Sequence, residues 1–160
     1  MKEKIMIKRS STLFLRGTVL FIGAVIFTIC LFVLPPAILS GEAGDFLPIL
    51  VGLYVPAVPF FFALYQTLKL LDCIDKNTAF SNASVRALKK IKYCAVTICL
   101  LFLAGAPYVY MTASDMDIPG VAGSPTLIAF ASIVIAVFAA VLEGLLRNAI
   151  AIKSENDLTV

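Results

Sequence analysis

Residues 69–93 read KLLDCIDKNTAFSNASVRALKKIKY and form the only long polar stretch in a very apolar chain. The chain has 160 residues, of which 61% are hydrophobic and 14% are charged. A soluble domain carries about 25% charged residues, so this composition indicates a small membrane protein. We therefore interpret the polar stretch as a hairpin that joins two pairs of membrane-spanning helices.

Four apolar runs are long enough to cross a bilayer, which takes about 20 residues at about 1.5 Å per residue. Backbone groups in lipid must be hydrogen-bonded within the segment, so each run is expected to be a helix. We predict an all-α, single-domain, up-down bundle of four transmembrane helices with a cytoplasmic amphipathic helix before the third span. The expected bounds are about 17–39, 47–71, 93–113 and 126–146 for the spans, 72–92 for the hairpin and 147–160 for the tail.

Positive charge is confined to one side of this predicted arrangement. The N-terminal segment, the central hairpin and the tail together hold all thirteen lysines and arginines. Among charged residues, the two remaining loops hold only acidic ones, Glu42, Asp45, Asp115 and Asp117. Because cytoplasmic loops of membrane proteins are rich in lysine and arginine, we expect a multi-pass protein of the cell membrane with the hairpin and both termini in the cytoplasm.

The hairpin itself divides into the end of one helix and the start of another. Lys69, Asp72 and Lys76 are at helical spacing, so the second helix is expected to extend into the cytoplasm before Asn77-Thr78 breaks it. Ser81 is a favourable residue to cap the next helix, which can continue unbroken into the third span. The polar face of this amphipathic helix is basic and consists of Arg86, Lys89, Lys90 and Lys92.

Prolines and small residues predict the shape of the first two spans. Pro35 and Pro36 are expected to end the first span near the outer face, because proline lacks the backbone donor that a helix needs. Gly23 would allow a close approach of a second helix. Pro56 and Pro59 should kink the second span; the kink would either serve a gate or cavity, or only adjust helix packing.

The fourth span contains a predicted packing ridge and an ionisable residue. Small residues recur at steps of four, which suits tight helix contact; they are Ser132, Ala136, Ala140 and Gly144. Glu143 lies beside this ridge, and Arg147 follows four residues later in the order that favours a helical ion pair. Glu143 is therefore either a functional carboxylate or an interfacial anchor, and as an exposed pair it would contribute about 0.2–1 kcal/mol.

The tail is expected to return toward the hairpin. A helix that ends at about Lys153 would direct the following residues back under the bundle. Glu155 and Asp157 would then approach Arg86, Lys89 or Lys90, and Leu158 would rest near Leu88. Hairpin and tail would form one cytoplasmic surface.

Two stretches resemble a family of small four-helix bacterial membrane proteins known as DUF2975. They are the hairpin, LLDCIDKNTAFSNASVRALKKIKYCA, and the C-terminal segment EGLLRNAIAIKSENDLTV. The resemblance implies the four-span layout and assigns no catalytic residue, since the biochemical role of the family is undefined. It also implies a partner, because members look like companions of small helix-turn-helix regulators encoded beside them.

These observations favour a membrane anchor or receptor for a cytoplasmic regulator. The expected contact residues are Arg86, Lys89, Lys90, Lys92, Glu155, Asn156, Asp157 and Leu158. The alternative is a small transporter or immunity-type protein that handles an apolar peptide or drug, in an oligomer; a plain structural or lipid-interacting role also stays open. We expect no enzyme, cofactor or metal, because the chain has no histidine and its serines and threonines lack an evident base. The basic helix should meet anionic lipid of the bilayer rather than nucleic acid.

Overall fold

The computed structural model describes residues 2–39, 44, 47–115 and 119–157 of the chain. It is helical, and four of its helices are long and apolar enough to cross a membrane, as predicted. The elements in chain order are α1 (Lys2–Thr28), a π-helical segment (Ile29–Val33), α2 (Leu34–Leu39), α3 (Leu47–Asp75), α4 (Asn82–Asp115), α5 (Pro119–Ala122) and α6 (Ser124–Asp157). The predicted loop residues Glu42, Asp45 and Asp117, and Leu158 of the tail, lie outside the described residues.

Two helices are much longer than a bilayer requires. α4 and α6 have 34 residues each, which corresponds to about 51 Å, whereas the hydrocarbon core is about 30 Å thick. The amphipathic part of the hairpin is the first third of α4, so it continues without a break into the third span. α4 and α6 therefore both project beyond the apolar layer.

The turn between α3 and α4 has a specific helix-ending geometry. Asn77 adopts a positive φ of 56°, which asparagine tolerates better than most residues. The Thr78 N–H donates to Cys73 O at 2.8 Å and the Asn77 N–H donates to Ile74 O at 3.1 Å. These two bonds form a Schellman motif that satisfies the last carbonyls of α3. The predicted break at Asn77-Thr78 is confirmed, and α4 begins directly after Ser81.

The two prolines of the first span lie inside a helix and do not terminate it. Helical structure continues through Pro35 and Pro36 to Leu39, and the π-helical segment precedes them. In π-geometry the N–H of each residue bonds to the carbonyl five residues earlier, so Pro35 leaves the Cys30 carbonyl without its helical donor. The Tyr54 hydroxyl of α3 donates to Cys30 O at 2.8 Å and replaces that donor.

Packing follows the order of the chain. α4 packs against α3 on one side and α6 on the other, and α1 packs against α3. Gly23 allows the last contact, since a Cβ added there would lie 3.3 Å from Leu64 Cδ1. Phe27 and Phe61 add an edge-to-face ring contact with centroids 6.1 Å apart. α1 is the least buried of the four long helices, so few apolar contacts hold it.

The predicted small-residue ridge on α6 is half right. Ser132 and Ala136 are buried, but Ala140 and Gly144 are exposed. A Cβ added at Gly144 would meet nothing within 4 Å, so its lack of a side chain serves no close contact in the described structure. The reason is helical periodicity. Each step of four residues overshoots a full turn by ~40°, so after three steps the last residue lies about 120° around the helix from the first and no longer faces the neighbouring helix.

The actual seam alternates steps of three and four residues. On α6 it passes through Ala129, Ser132, Ala136, Ala139 and Glu143. On α4, buried small residues that share the helix face of Lys92 line the other side of the seam; they are Ala95 and Cys99. This spacing averages 3.5 residues, as in left-handed helix pairs, and the small side chains let the two backbones lie close together.

The orientation of the bundle can be tested by thiol labelling. Gly120→Cys and Ser114→Cys place thiols at exposed positions near the predicted outer ends of α4 and α6, and Gly120 has room for a side chain. With Cys30, Cys94 and Cys99 replaced by alanine, a membrane-impermeant maleimide should label both positions in intact cells. It should label Cys73 only after permeabilisation. Labelling of Cys73 in intact cells would contradict the cytoplasmic placement of the hairpin.

Candidate functional site at the hairpin end of the bundle

A buried carboxylate joins α4 to α6. Lys92 Nζ of α4 lies 2.7 Å from Glu143 Oε2 of α6, and Arg147 lies 2.8 Å from Oε1 of the same carboxylate. Only 8% of the Glu143 side chain is exposed, against 26% of Lys92 and 57% of Arg147. Both carboxylate oxygens are thus engaged by cations, and the group is enclosed by protein.

The ion pair predicted between Glu143 and Arg147 is confirmed, and its setting differs from the prediction. Lys92 was predicted to belong to an exposed cationic face, yet it turns inward and is the second partner of Glu143. The estimate for an exposed pair is therefore too low, because the removal of one partner from a buried pair costs about 3–5 kcal/mol. The sequence did contain a signal for this contact, because both residues are predicted to lie at the same depth in the membrane. Lys92 directly precedes the third predicted span, and Glu143 lies near the predicted cytoplasmic end of the fourth.

A second ionic cluster joins α1 to α3. The Arg16 guanidinium lies 2.8 Å from Asp72 Oδ1 and 3.0 Å from Asp75 Oδ2, and Lys76 Nζ lies 2.7 Å from Asp72 Oδ2. Hydrogen bonds from Lys76 and then Arg16 hold the pKa of Asp72 below its ordinary value of 3.8. The bond to Asp72 raises the pKa of Lys76 above its ordinary 10.5. Sequence reasoning missed the role of Arg16, since nothing in the pattern links residue 16 to residue 72.

The other three cations of the first part of α4 lie on its exposed surface and belong to neither ionic cluster. Arg86, Lys89 and Lys90 are exposed on α4. Lys89 Nζ lies 6.0 Å from the Tyr93 ring centroid and Lys90 Nζ lies 5.8 Å from that of Phe62 on α3. Lys90 thus leans toward the membrane side of the molecule, while Arg86 is one helical turn farther from it.

The tail continues straight on from α6. The helix extends to Asp157, so the predicted end at about Lys153 with a return under the bundle is wrong. Residues such as alanine and isoleucine at 149–152 sustain the helix, and no proline or glycine follows Gly144 to stop it. Glu155 and Asn156 are exposed. The approach of Asp157 to the hairpin cations stays a prediction.

α4 and α6 nevertheless bring the hairpin and the tail to the same end of the bundle. The two helices are antiparallel neighbours, and the pair of Lys92 with Glu143 sets their register. Ten residues from the pair toward this end on each helix lead to Asn82 and Lys153, at similar distances of about 15 Å from the pair. These end segments of α4 and α6, which the predicted orientation places in the cytoplasm, are what we call the cytoplasmic arm (residues 82–92 of α4 and 147–157 of α6).

The described residues offer no evident metal centre. Within residues 2–39, 44, 47–115 and 119–157, no three cysteine, aspartate or glutamate side chains are grouped so that they could hold an ion. Of the four cysteines, Cys94 and Cys99 are buried, Cys30 and Cys73 are partly exposed, and all are free thiols.

Four apolar helices with ionic clusters at one end define a small multi-pass integral membrane protein. The chain belongs to the DUF2975 family, described as a protein of unknown function, whose sequence model matches residues 16–160. It is 51% identical over 160 aligned residues to the Bacillus subtilis (strain 168) protein called uncharacterized membrane protein YoaS, and the alignment covers 95% of this chain and 99% of that relative. No solved structure matches the chain. The resemblance seen in the hairpin and C-terminal segment is confirmed.

Proposed function

We propose that the protein is a membrane anchor or receptor for a small cytoplasmic helix-turn-helix regulator, which docks on the cytoplasmic arm. The observation that carries this proposal is the length of α4 and α6, 34 residues each. A bilayer needs only about 20 residues per span. Two packed helices that both exceed this length on the same side offer a folded surface for a partner.

The arm is held rigid by burial on its inner face. Ser84, Val85, Ala87 and Leu88 are all buried, although they belong to the polar part of the chain. The Ser81 carbonyl accepts the Ser84 and Val85 N–H groups at 3.1 and 3.3 Å, so the helix is fixed from its first turn. A surface that is already ordered costs less to bind than one that must fold on contact.

The outer face of the arm carries charges of both signs. Arg86 and Lys89 are exposed on α4, and Glu155 and Asn156 are exposed on α6. Lys92 does not belong to this surface, since it is bound to Glu143. Cations at the base of the arm favour an acidic patch on the partner, which on a DNA-binding regulator lies away from its basic DNA-binding face.

The alternative is a transporter or immunity-type protein for an apolar peptide or drug. An apolar groove between α3 and α4 favours this alternative, because such a molecule would need an apolar path. The ionic contacts of Glu143 weigh against it, since a carboxylate that is already held by two cations is poorly placed to bind cargo. We therefore rank the anchor above the transporter.

Co-purification with the product of the neighbouring reading frame, where this encodes a helix-turn-helix protein, tests the proposal. Arg86→Glu should reduce its recovery with the solubilised membrane protein several-fold, because the change opposes the acidic patch of the partner. Deletion of residues 155–160 should also reduce recovery while membrane insertion stays intact, since the spans and flanking cations remain.

Lys69→Glu is the matched control, because Lys69 is also exposed and cytoplasmic but lies outside the arm. It should leave recovery unchanged. Equal recovery of the regulator by the full-length protein, Arg86→Glu and the truncated chain would contradict docking on the arm. Loss of drug or peptide resistance on deletion of the gene, with the regulator unaffected, would support the alternative.

A further inference from the structure

An open groove runs along the outer surface of the molecule between α3 and α4. It has a volume of about 730 Å³ and is open along its side. Its lining residues are Tyr54, Val55, Val58, Pro59, Phe62, Cys94, Thr97 and Leu101. On α3 these extend from Tyr54 to Phe62, nine residues with a rise of about 12 Å, which is close to the ~15 Å half-thickness of the hydrocarbon core.

The groove is apolar even where its residues carry polar atoms. The Tyr54 hydroxyl donates to Cys30 O at 2.8 Å, and the Thr97 hydroxyl donates to Tyr93 O at 2.9 Å. Both oxygens are thus occupied within the protein, and the residues present carbon atoms to the groove. Its surface therefore suits a flexible hydrocarbon chain and offers nothing to a polar ligand.

One end of the groove is marked by a cation. Lys90, Cys94, Thr97 and Leu101 follow one another at steps of four, three and four residues, so they share one face of α4. Lys90 thus continues the line of the groove on its cytoplasmic side, and its Nζ lies 5.8 Å from the ring centroid of Phe62, the last α3 residue of the lining. Arg86 lies one further turn out on the same face and is exposed.

We propose that this groove binds one anionic phospholipid of the cytoplasmic leaflet, with an acyl chain along the groove and the phosphate on Lys90. The side opening lets the chain enter from the bilayer, and the ammonium lies where the headgroup of that lipid would be. Charge selects the occupant, because a lysine at the headgroup level attracts anionic lipid. This site is tested separately from the regulator, because the phosphate meets Lys90, whereas the docking test changes Arg86, one turn farther from the membrane.

A matched pair of lysines separates this site from general surface charge. Lys90→Gln removes the cation at the end of the groove, and Lys89→Gln removes an equally exposed lysine that faces Tyr93 instead. A second pair tests the groove: Val58 is 72% exposed in the lining and Val51 is 46% exposed outside it. Val58→Trp should fill the groove, and Val51→Trp adds the same bulk elsewhere on α3.

The test is native mass spectrometry of the full chain from mixed bilayers of phosphatidylglycerol and phosphatidylcholine. The wild-type protein should retain one phosphatidylglycerol in preference to phosphatidylcholine. Lys90→Gln should abolish that preference, and Val58→Trp should reduce retention of both lipids several-fold. Lys89→Gln and Val51→Trp should behave as wild type, and a monodisperse elution profile verifies folding of each variant.

Three outcomes would overturn the proposal. Equal loss of preference in Lys89→Gln and Lys90→Gln would show that the attraction belongs to the whole basic surface. Undiminished retention by folded Val58→Trp would show that no acyl chain lies in the groove. Retention of a second protein chain in place of lipid, lost in Val58→Trp, would assign the groove to a helix of that chain.

Discussion

Replacement of Lys92 by methionine should destabilise the packing of α4 on α6 by about 3 kcal/mol. Methionine keeps most of the length of the side chain but removes the charge that lies 2.7 Å from Glu143. The carboxylate is enclosed, and Arg147 alone, itself 57% exposed, cannot replace the lost contact. Reversible unfolding in mixed detergent micelles, followed by helical circular dichroism, would measure the change.

The double variant Lys92→Met, Glu143→Leu completes a thermodynamic cycle. Because an apolar pair of similar volume is often as stable as a buried ion pair, the double variant should recover most of the stability that Lys92→Met loses. Lys89→Met is the matched control, since this exposed lysine has no carboxylate partner among the described ion pairs. Strictly additive effects of the two single changes would show that Lys92 and Glu143 are not energetically coupled.

Replacement of Arg16 by glutamine should release α1 from the rest of the bundle. Arg16 is the cation that approaches both Asp72 and Asp75, and α1 has few other contacts that could hold it against α3. Cysteines at Phe27 and Phe61, whose rings touch in the native protein, report the contact when all four native cysteines are replaced by alanine. Copper-catalysed disulfide formation should fall several-fold in Arg16→Gln.

Lys69→Gln provides the control, because it removes one exposed charge from α3 that takes part in none of the described ion pairs of the cluster. An unchanged disulfide yield in Arg16→Gln would show that apolar contacts suffice to dock α1. The four other cations of the N-terminal segment keep the orientation of the span, so the change in yield reports docking and not insertion.

The same reporter should respond to pH only at the extremes. The pKa of Asp72 is lowered in the folded state, so its contribution is fully present above 3.8 and is lost as the pH falls through the lower folded value. The pKa of Lys76 is raised, so its contribution is fully present below 10.5 and is lost as the pH rises through the higher folded value. Initial rates of disulfide formation, divided by those of Arg16→Gln at the same pH to allow for thiol ionisation, should therefore be flat between these limits.

The fold was predictable because its main signals act over short stretches of sequence. An apolar run of about 20 residues must be a helix in lipid, because its backbone groups can be hydrogen-bonded only within the segment. Asn77-Thr78 terminates α3 by a local motif. The end of α6 was not predictable in the same way. The tail is polar, and polarity alone does not distinguish a helix that leaves the membrane intact from one that ends there, although no proline or glycine interrupts residues 145–157.

The site was less predictable because its contacts cross between helices. The pair of Glu143 with Arg147 is four residues apart, so helical spacing alone indicates it. The pairs of Glu143 with Lys92 and of Arg16 with Asp72 span 51 and 56 residues, and no local pattern encodes them. The small-residue ridge failed for a different reason, since exact steps of four do not follow a helical period of about 3.6 residues.

The buried charge on α6 also has a consequence for alignment. Small side chains of similar size line the seam, and they would pack almost equally well if one helix slid along the other; they include Ala95, Cys99, Ala136 and Ala139. A slide of one turn moves a residue by about 5.4 Å, which would carry Glu143 out of reach of Lys92. The ion pair therefore selects one axial alignment among several that apolar contacts would accept, and so sets how far each helix extends past its neighbour at the hairpin end of the bundle.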